Sequence, residues 1–211
     1  MSLFEFPCPE WVNPEPFEKL PFIATAASRL VSVFVKQNKN KYILGHGDLK
    51  DWHRALFERV VPVPYYAGNY RSKDLAFPCL DTGIHVAGVR GAEASEVPKL
   101  MAAFSRQISE HMITTDRFVD TESNPLVRLQ AVVQLAAFAS GNVIQIHPFL
   151  NGNGRIARLL ANFILNRYGY RMPFYIARPG TADYALASAE AMRTGNFTLL
   201  YQYLLEILAL Q

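Results

Sequence analysis

The sequence predicts a mainly α-helical domain, a helical bundle carrying one small β-hairpin. Three observations predict it. Apolar residues recur at helical spacing along most of the chain. A strand-like pattern occurs in one place, between residues 65 and 92. No repeat, low-complexity tract or linker interrupts the 211 residues, so one domain with a sizeable core is expected.

Residues 1–21 hold Pro7, Pro9, Pro14, Pro16 and Pro21 beside Trp11, which predicts an extended arm packed on a single domain, 22–211. Residues 22–37 place Ile23, Ala27, Leu30, Val31 and Phe34 on one helical face. A polar loop, 38–48, leads to Asp48 as N-cap of a helix running to about Val61, where Pro62 and Pro64 stop it. Leu75–Cys79 and Ile84–Val89 flank the turn residues Leu80-Asp81-Thr82-Gly83 and predict a hairpin. Pro78 is unsuited to a central strand, so the hairpin should keep an open edge. Ser95 opens a helix through Leu100, Met101, Phe104 and Ile108 that should end near Met112, with 114–123 irregular. Asn124-Pro125 starts a long apolar helix ended by Pro148. A helix over Arg155–Arg167 stops at Gly169, and helices over 181–194 and 196–210 complete the bundle.

Half of the residues are hydrophobic, 18% are charged, and the net charge is +3. That mild balance gives no reason to expect nucleic acid or an anionic membrane as partner. Cys8 and Cys79 make no metal-ligand spacing and no disulfide framework, which points to a reduced, cytoplasmic setting, with a secreted effector left open. No secretory signal and no apolar stretch long enough to span a bilayer is expected.

The chemistry gathers in His147-Pro148-Phe149-Leu150-Asn151-Gly152-Asn153-Gly154-Arg155-Ile156-Ala157-Arg158. Gly152 and Gly154 allow a turn whose consecutive amides can form an anion-binding concavity. The helix that follows points its free amides and positive dipole end into that turn. Arg155 and Arg158 are neighbours on one side of it, and His147 supplies an imidazole nearby. The string is not a Walker loop, because Gly-Lys-Ser/Thr is absent. His46, His53, His85 and His111 show no ligand spacing and read as structural or surface residues.

The whole string resembles the signature of the Fic family, His-Pro-Phe-x-(Asp/Glu)-Gly-Asn-Gly-Arg-x-x-Arg, with Asn151 in the acidic position. Gly68-Asn69-Tyr70-Arg71 and Tyr184-Ala185-Leu186 extend the likeness. It implies a Fic-type helical core that moves AMP from ATP to a Tyr, Thr or Ser hydroxyl of a target protein. By this likeness His147 is the general base, Gly152, Asn153, Gly154, Arg155 and Arg158 hold the phosphates, and Tyr184 lines the nucleotide site, though it reads equally as a core tyrosine. A flap including Leu75, Ala76, Phe77, His85 and Val86 should receive the target as an added strand. The family's acidic residue holds Mg2+. Asn151 in its place implies weaker metal binding and slower turnover, or a changed metal or substrate. Transfer of another nucleotide or of phosphate, and a nucleotide-binding module with little catalysis, stay open. No Glu has the family's inhibitory-helix surroundings, so a separate inhibitory partner is one source of control. The oligomeric state, a homodimer included, is undetermined.

Overall fold

The computed structural model describes residues 8–11, 17–86, 88–173 and 180–209. Helix α1, Leu20–Lys39, follows a 3-10 turn at Phe17–Lys19. The expected arm is therefore shorter than 1–21, because Pro21 sits in the first helical turn, where its missing N–H costs nothing. Most of the remaining arm lies outside the described residues. Helix α2 spans Asp48–Phe57; Asp48 is its first residue rather than its cap and accepts from the Gly45 amide.

Helix α3 runs Val97–Thr121, well past the expected stop at Met112. The reason is tertiary. Asp116 accepts from Arg167 Nη2 at 2.6 Å and Nε at 2.9 Å, and from the Tyr168 hydroxyl at 2.9 Å. Polar residues that look like loop in one dimension are the ion-paired face of a helix. Helix α4, Pro125–Ile146, is capped by Asn124, whose side chain accepts from the Leu126 and Val127 amides. Helices α5 (Asn153–Arg167), α6 (Ala182–Thr194) and α7 (Thr198–Ala209) follow. Gly169 ends α5 at φ +84°, as expected.

Helix α4 is the axis of the bundle, with α3, α5, α6 and α7 packed around it. Its Val132, Val133, Ala136, Ala137, Ala139 and Val143 are fully buried. At 22 residues it is long and apolar enough to cross a membrane, against the expectation that no stretch would be. Its neighbours cover it instead.

The hairpin differs from its predicted register. Strands β1 (His85–Val86) and β2 (Val89–Arg90) pair antiparallel, His85 opposite Arg90 and Val86 opposite Val89, around Gly88 at φ +80°. Leu75, Ala76 and Phe77 are not strand: Leu75-Ala76 form a turn and Pro78–Leu80 a 3-10 turn. Leu75 is 94% exposed, while Phe77 packs on Tyr65 and lines a cleft with Lys50 and Tyr70. Pro78 cannot donate to a ladder, which is why pairing moves on to the β-branched stretch.

Cys8 and Cys79 are joined by a disulfide, Cα to Cα 5.5 Å, which corrects the expectation of unpaired thiols. Chain folding brings them together across 71 residues. Trp11 packs edge-on against Phe57 and His53, and the Tyr66 hydroxyl donates to Pro9 O, so the segment is docked on the domain. Closing a loop of that length stabilises by roughly 4 kcal/mol in the chain-entropy picture. Melting with and without reductant should show a clearly lower midpoint when reduced. Two titratable thiols in the untreated protein would refute the bond.

Candidate active site

The loop between α4 and α5 is built from its own side chains. Asn153 is buried and closes it in both directions: its Oδ1 accepts from the Phe149 amide and its Nδ2 donates to Phe149 O, each at 2.8 Å. The Asn153 side chain is thus a staple, and only its backbone amide can face a ligand. The Gly152 amide donates to Asn151 Oδ1 at 2.6 Å, so it too is engaged. Asn153 and Gly154 open α5, and the first amides of a helix have no intrahelical acceptor. Of the expected set of amides, these two are left without a partner inside the helix.

Gly152 has φ +80°, and a Cβ there would lie 2.5 Å from the Phe57 ring. Both conformation and space require glycine. The Arg155 guanidinium lies over the same ring, 4.7 Å from its centroid. Arg158 is buried, and its Nη1 donates to the Tyr184 hydroxyl at 3.5 Å. The contact between Arg158 and Tyr184 was not expected from the sequence; it sets Tyr184, itself buried on α6, against the second arginine of the string.

His147 terminates α4 in the left-handed region, φ 53° and ψ 58°, which is costly for a residue with a Cβ. Its Nδ1 lies 3.1 Å from Ile144 O. A carbonyl only accepts, so Nδ1 carries the proton and Nε2 keeps its lone pair. Burial, and secondarily the Arg71 charge, push the imidazole down to about 4. It is a neutral base at physiological pH.

His53, read from sequence as structural or surface, is a buried support of this loop. Its ring stacks on Phe149 at 3.8 Å. Nδ1 accepts from the Gly68 amide at 2.9 Å, and Nε2 meets Asn151 O at 3.0 Å. Those partners fix the neutral tautomer, and burial drives the group down to about 3. The signal was present: His53 shares the buried face of α2 with Leu49, Leu56 and Phe57. In the unfolded chain both imidazoles gain protons near pH 6.5, while folded His53 and His147 resist until about 3 and 4. The unfolded state then binds more protons, so stability falls as pH drops from 6.5 toward 4, by about 1.4 kcal/mol per unit for each. Denaturant midpoints at pH 7 and pH 5 should differ accordingly; equal midpoints would show that the imidazoles are not held neutral.

Asn151 does not fit the expected metal role. It is uncharged, its oxygen already accepts from Gly152, and its buried Nδ2, a donor, has no hydrogen-bond partner. Among the described residues no cluster of three or more His, Cys, Asp or Glu could hold a metal ion. The groups gathered here are donors and cations, which suit phosphate oxygens and not Mg2+.

A neutral imidazole, a helix N-terminus and two guanidiniums thus stand within one loop and the first turn of α5, in a helical bundle. The chain belongs to the Fic/DOC family, whose profile matches residues 43–165. A relative named protein adenylyltransferase Fic, from Drosophila grimshawi, is 31% identical over 123 residues, 58% of this chain and 20% of that protein. The chain thus spans about a fifth of the length of the curated relatives it matches. A Fic-domain signalling protein from Bacteroides thetaiotaomicron superposes with a TM-score of 0.68 at 21% identity, covering 94% of this chain and 72% of that one. BepC from Bartonella tribocorum, solved with bound AMPPNP, superposes at 0.59 with 16% identity, covering 90% and 84%. These structures share the helical fold and its small hairpin.

Proposed function

We propose that this chain transfers AMP from ATP to a hydroxyl side chain of a target protein. The observation that carries the reading is the free Nε2 of a neutral His147, one loop away from the N-terminus of α5. The relatives named adenylyltransferases and the AMPPNP held by BepC support it. The target's Tyr, Thr or Ser oxygen attacks the α-phosphorus as its proton passes to Nε2. The new bond joins that oxygen to phosphorus, and the bond that breaks releases pyrophosphate. The Asn153 and Gly154 amides face the phosphate oxygens, and Arg155 and Arg158 hold the departing pyrophosphate. Tyr184 orients Arg158 through its hydroxyl. The exposed edge of His85–Arg90 takes the target backbone as an added strand.

Incubation with ATP labelled at the α-phosphorus and cell lysate tests this: protein bands should take up label, and ATP labelled at the γ-position should leave them dark. γ-Label on protein would make it a phosphate transfer. ATP binding with no label on protein would make it a binding module, the reading that the neutral Asn151 favours. The same residue gives a calorimetric prediction. ATP affinity of the native chain should change less than about threefold between EDTA and Mg2+, whereas Asn151→Asp should gain at least about tenfold from the metal. A native chain that needs Mg2+ as strongly as the Asp variant would place the ion on Asn151 after all.

A further inference from the structure

Arg71 is a fully buried cation, and its contacts are with backbone carbonyls. Nε donates to His147 O at 2.9 Å, and Nη2 to Ile146 O at 3.2 Å. Nη1 donates to Thr82 O at 2.9 Å, and Nη2 also to Ala92 O at 2.8 Å. The Arg71 amide adds a bond to Pro148 O at 2.8 Å. Ile146 and His147 carry the last carbonyls of α4, which have no intrahelical donor and sit at the negative end of the helix dipole. Thr82 and Ala92 stand on the two stems of the hairpin His85–Arg90. Those stems are also tied directly: the Ala92 amide donates to Ile146 O at 3.3 Å. At Gly91 a Cβ would come within 3.1 Å of the His147 Cβ.

One planar group therefore does three things. It satisfies the orphan carbonyls of α4. It holds His147 in a left-handed conformation, φ 53°, that is strained for a residue other than glycine. It fixes both hairpin stems to that same turn. A lysine could not copy this, since its ammonium is a point charge without the fork.

We propose that Arg71 is the positioning residue of the transfer reaction, locking the hairpin that receives the target strand and the backbone of His147 into one rigid unit, so that the incoming hydroxyl meets Nε2. The proposal rests on the nucleotidyl-transfer reading and names a residue outside the phosphate seat. Its charge has a second effect on His147: it opposes protonation of the imidazole beside it.

Two variants test it, read by initial rate of label transfer from ATP at saturating ATP in a fixed lysate, and by ATP affinity. Arg71→Lys keeps the charge and loses the fork. Its rate should fall at least roughly tenfold while ATP affinity stays within about threefold, with the acid limb of the pH profile unmoved. Arg71→Gln loses both, so its rate should fall and its acid limb should move up toward pH 6.5. Rates per folded molecule equal to native in either variant would overturn the proposal. If neither variant folds, hydrogen exchange on the native chain decides. The Ala92 amide should exchange with the protection of the His147 amide, which donates to Val143 O within the last turn of α4. A stem that opens independently of that turn refutes the locked unit. A native chain that transfers no label sinks the nucleotidyl-transfer reading itself, an outcome distinct from a native rate in Arg71→Lys.

Discussion

Replacing His147 by Asn should lower the rate of label transfer about 10²–10⁴-fold while leaving ATP bound. Asn is the informative replacement because it tolerates the left-handed backbone that His147 adopts, φ 53°, better than most residues. The loop and the α5 N-terminus should therefore survive, and only the proton acceptor is lost. His147→Ala should lose at least as much rate and some stability besides, since Ala is strained at that φ. The native pH profile belongs to the same prediction. An imidazole pushed down to about 4 keeps its lone pair as pH falls through 6 and 5. The acid limb should lie well below the ordinary histidine value of about 6.5. An Asn variant with native rate would remove His147 from the role of base; an acid limb at about 6.5 in the native chain would show instead that burial does not hold the imidazole down.

The second large effect is expected at Gly152→Ala. The added methyl meets the Phe57 ring at 2.5 Å and His53 Nε2 at 3.3 Å, on a backbone at φ +80°. Phe57 and His53 are themselves fully buried, so neither can step aside freely. Backbone strain and overpacking together should cost about 2–4 kcal/mol. For a chain of this size that lowers the melting midpoint by about 5–15 °C. The shifted loop should also weaken ATP binding, because α5 begins at the next residue. Gly154→Ala is the control: its methyl would come 3.3 Å from Arg158 Nη1, the movable end of a long side chain, with no positive φ. Its midpoint should move far less. Equal midpoints for the two variants would mean that the loop does not have this shape.

Much of the fold was legible because helix periodicity is local. Asn124 and Gly169 marked boundaries through chemistry that needs no tertiary partner. The true end of α3 was not legible. It depends on Asp116 meeting Arg167 and Tyr168, 51 and 52 residues away. The disulfide and the pairing register of the hairpin likewise depend on what the folded chain brings close.

The amino-acid order alone determined the residue types of the site: an imidazole, a glycine turn and two guanidiniums, packed into 12 consecutive positions. Such clustering is visible without a fold because its geometry is set by one turn and one helix. Tertiary structure decided which of those groups are available. It spent the Asn153 side chain and the Gly152 amide inside the loop, the amide on Asn151 Oδ1. It also brought His53 and Arg71 in from distant segments to hold the loop. A hydrogen bond joins groups by distance in space, and distance along the chain says little about it.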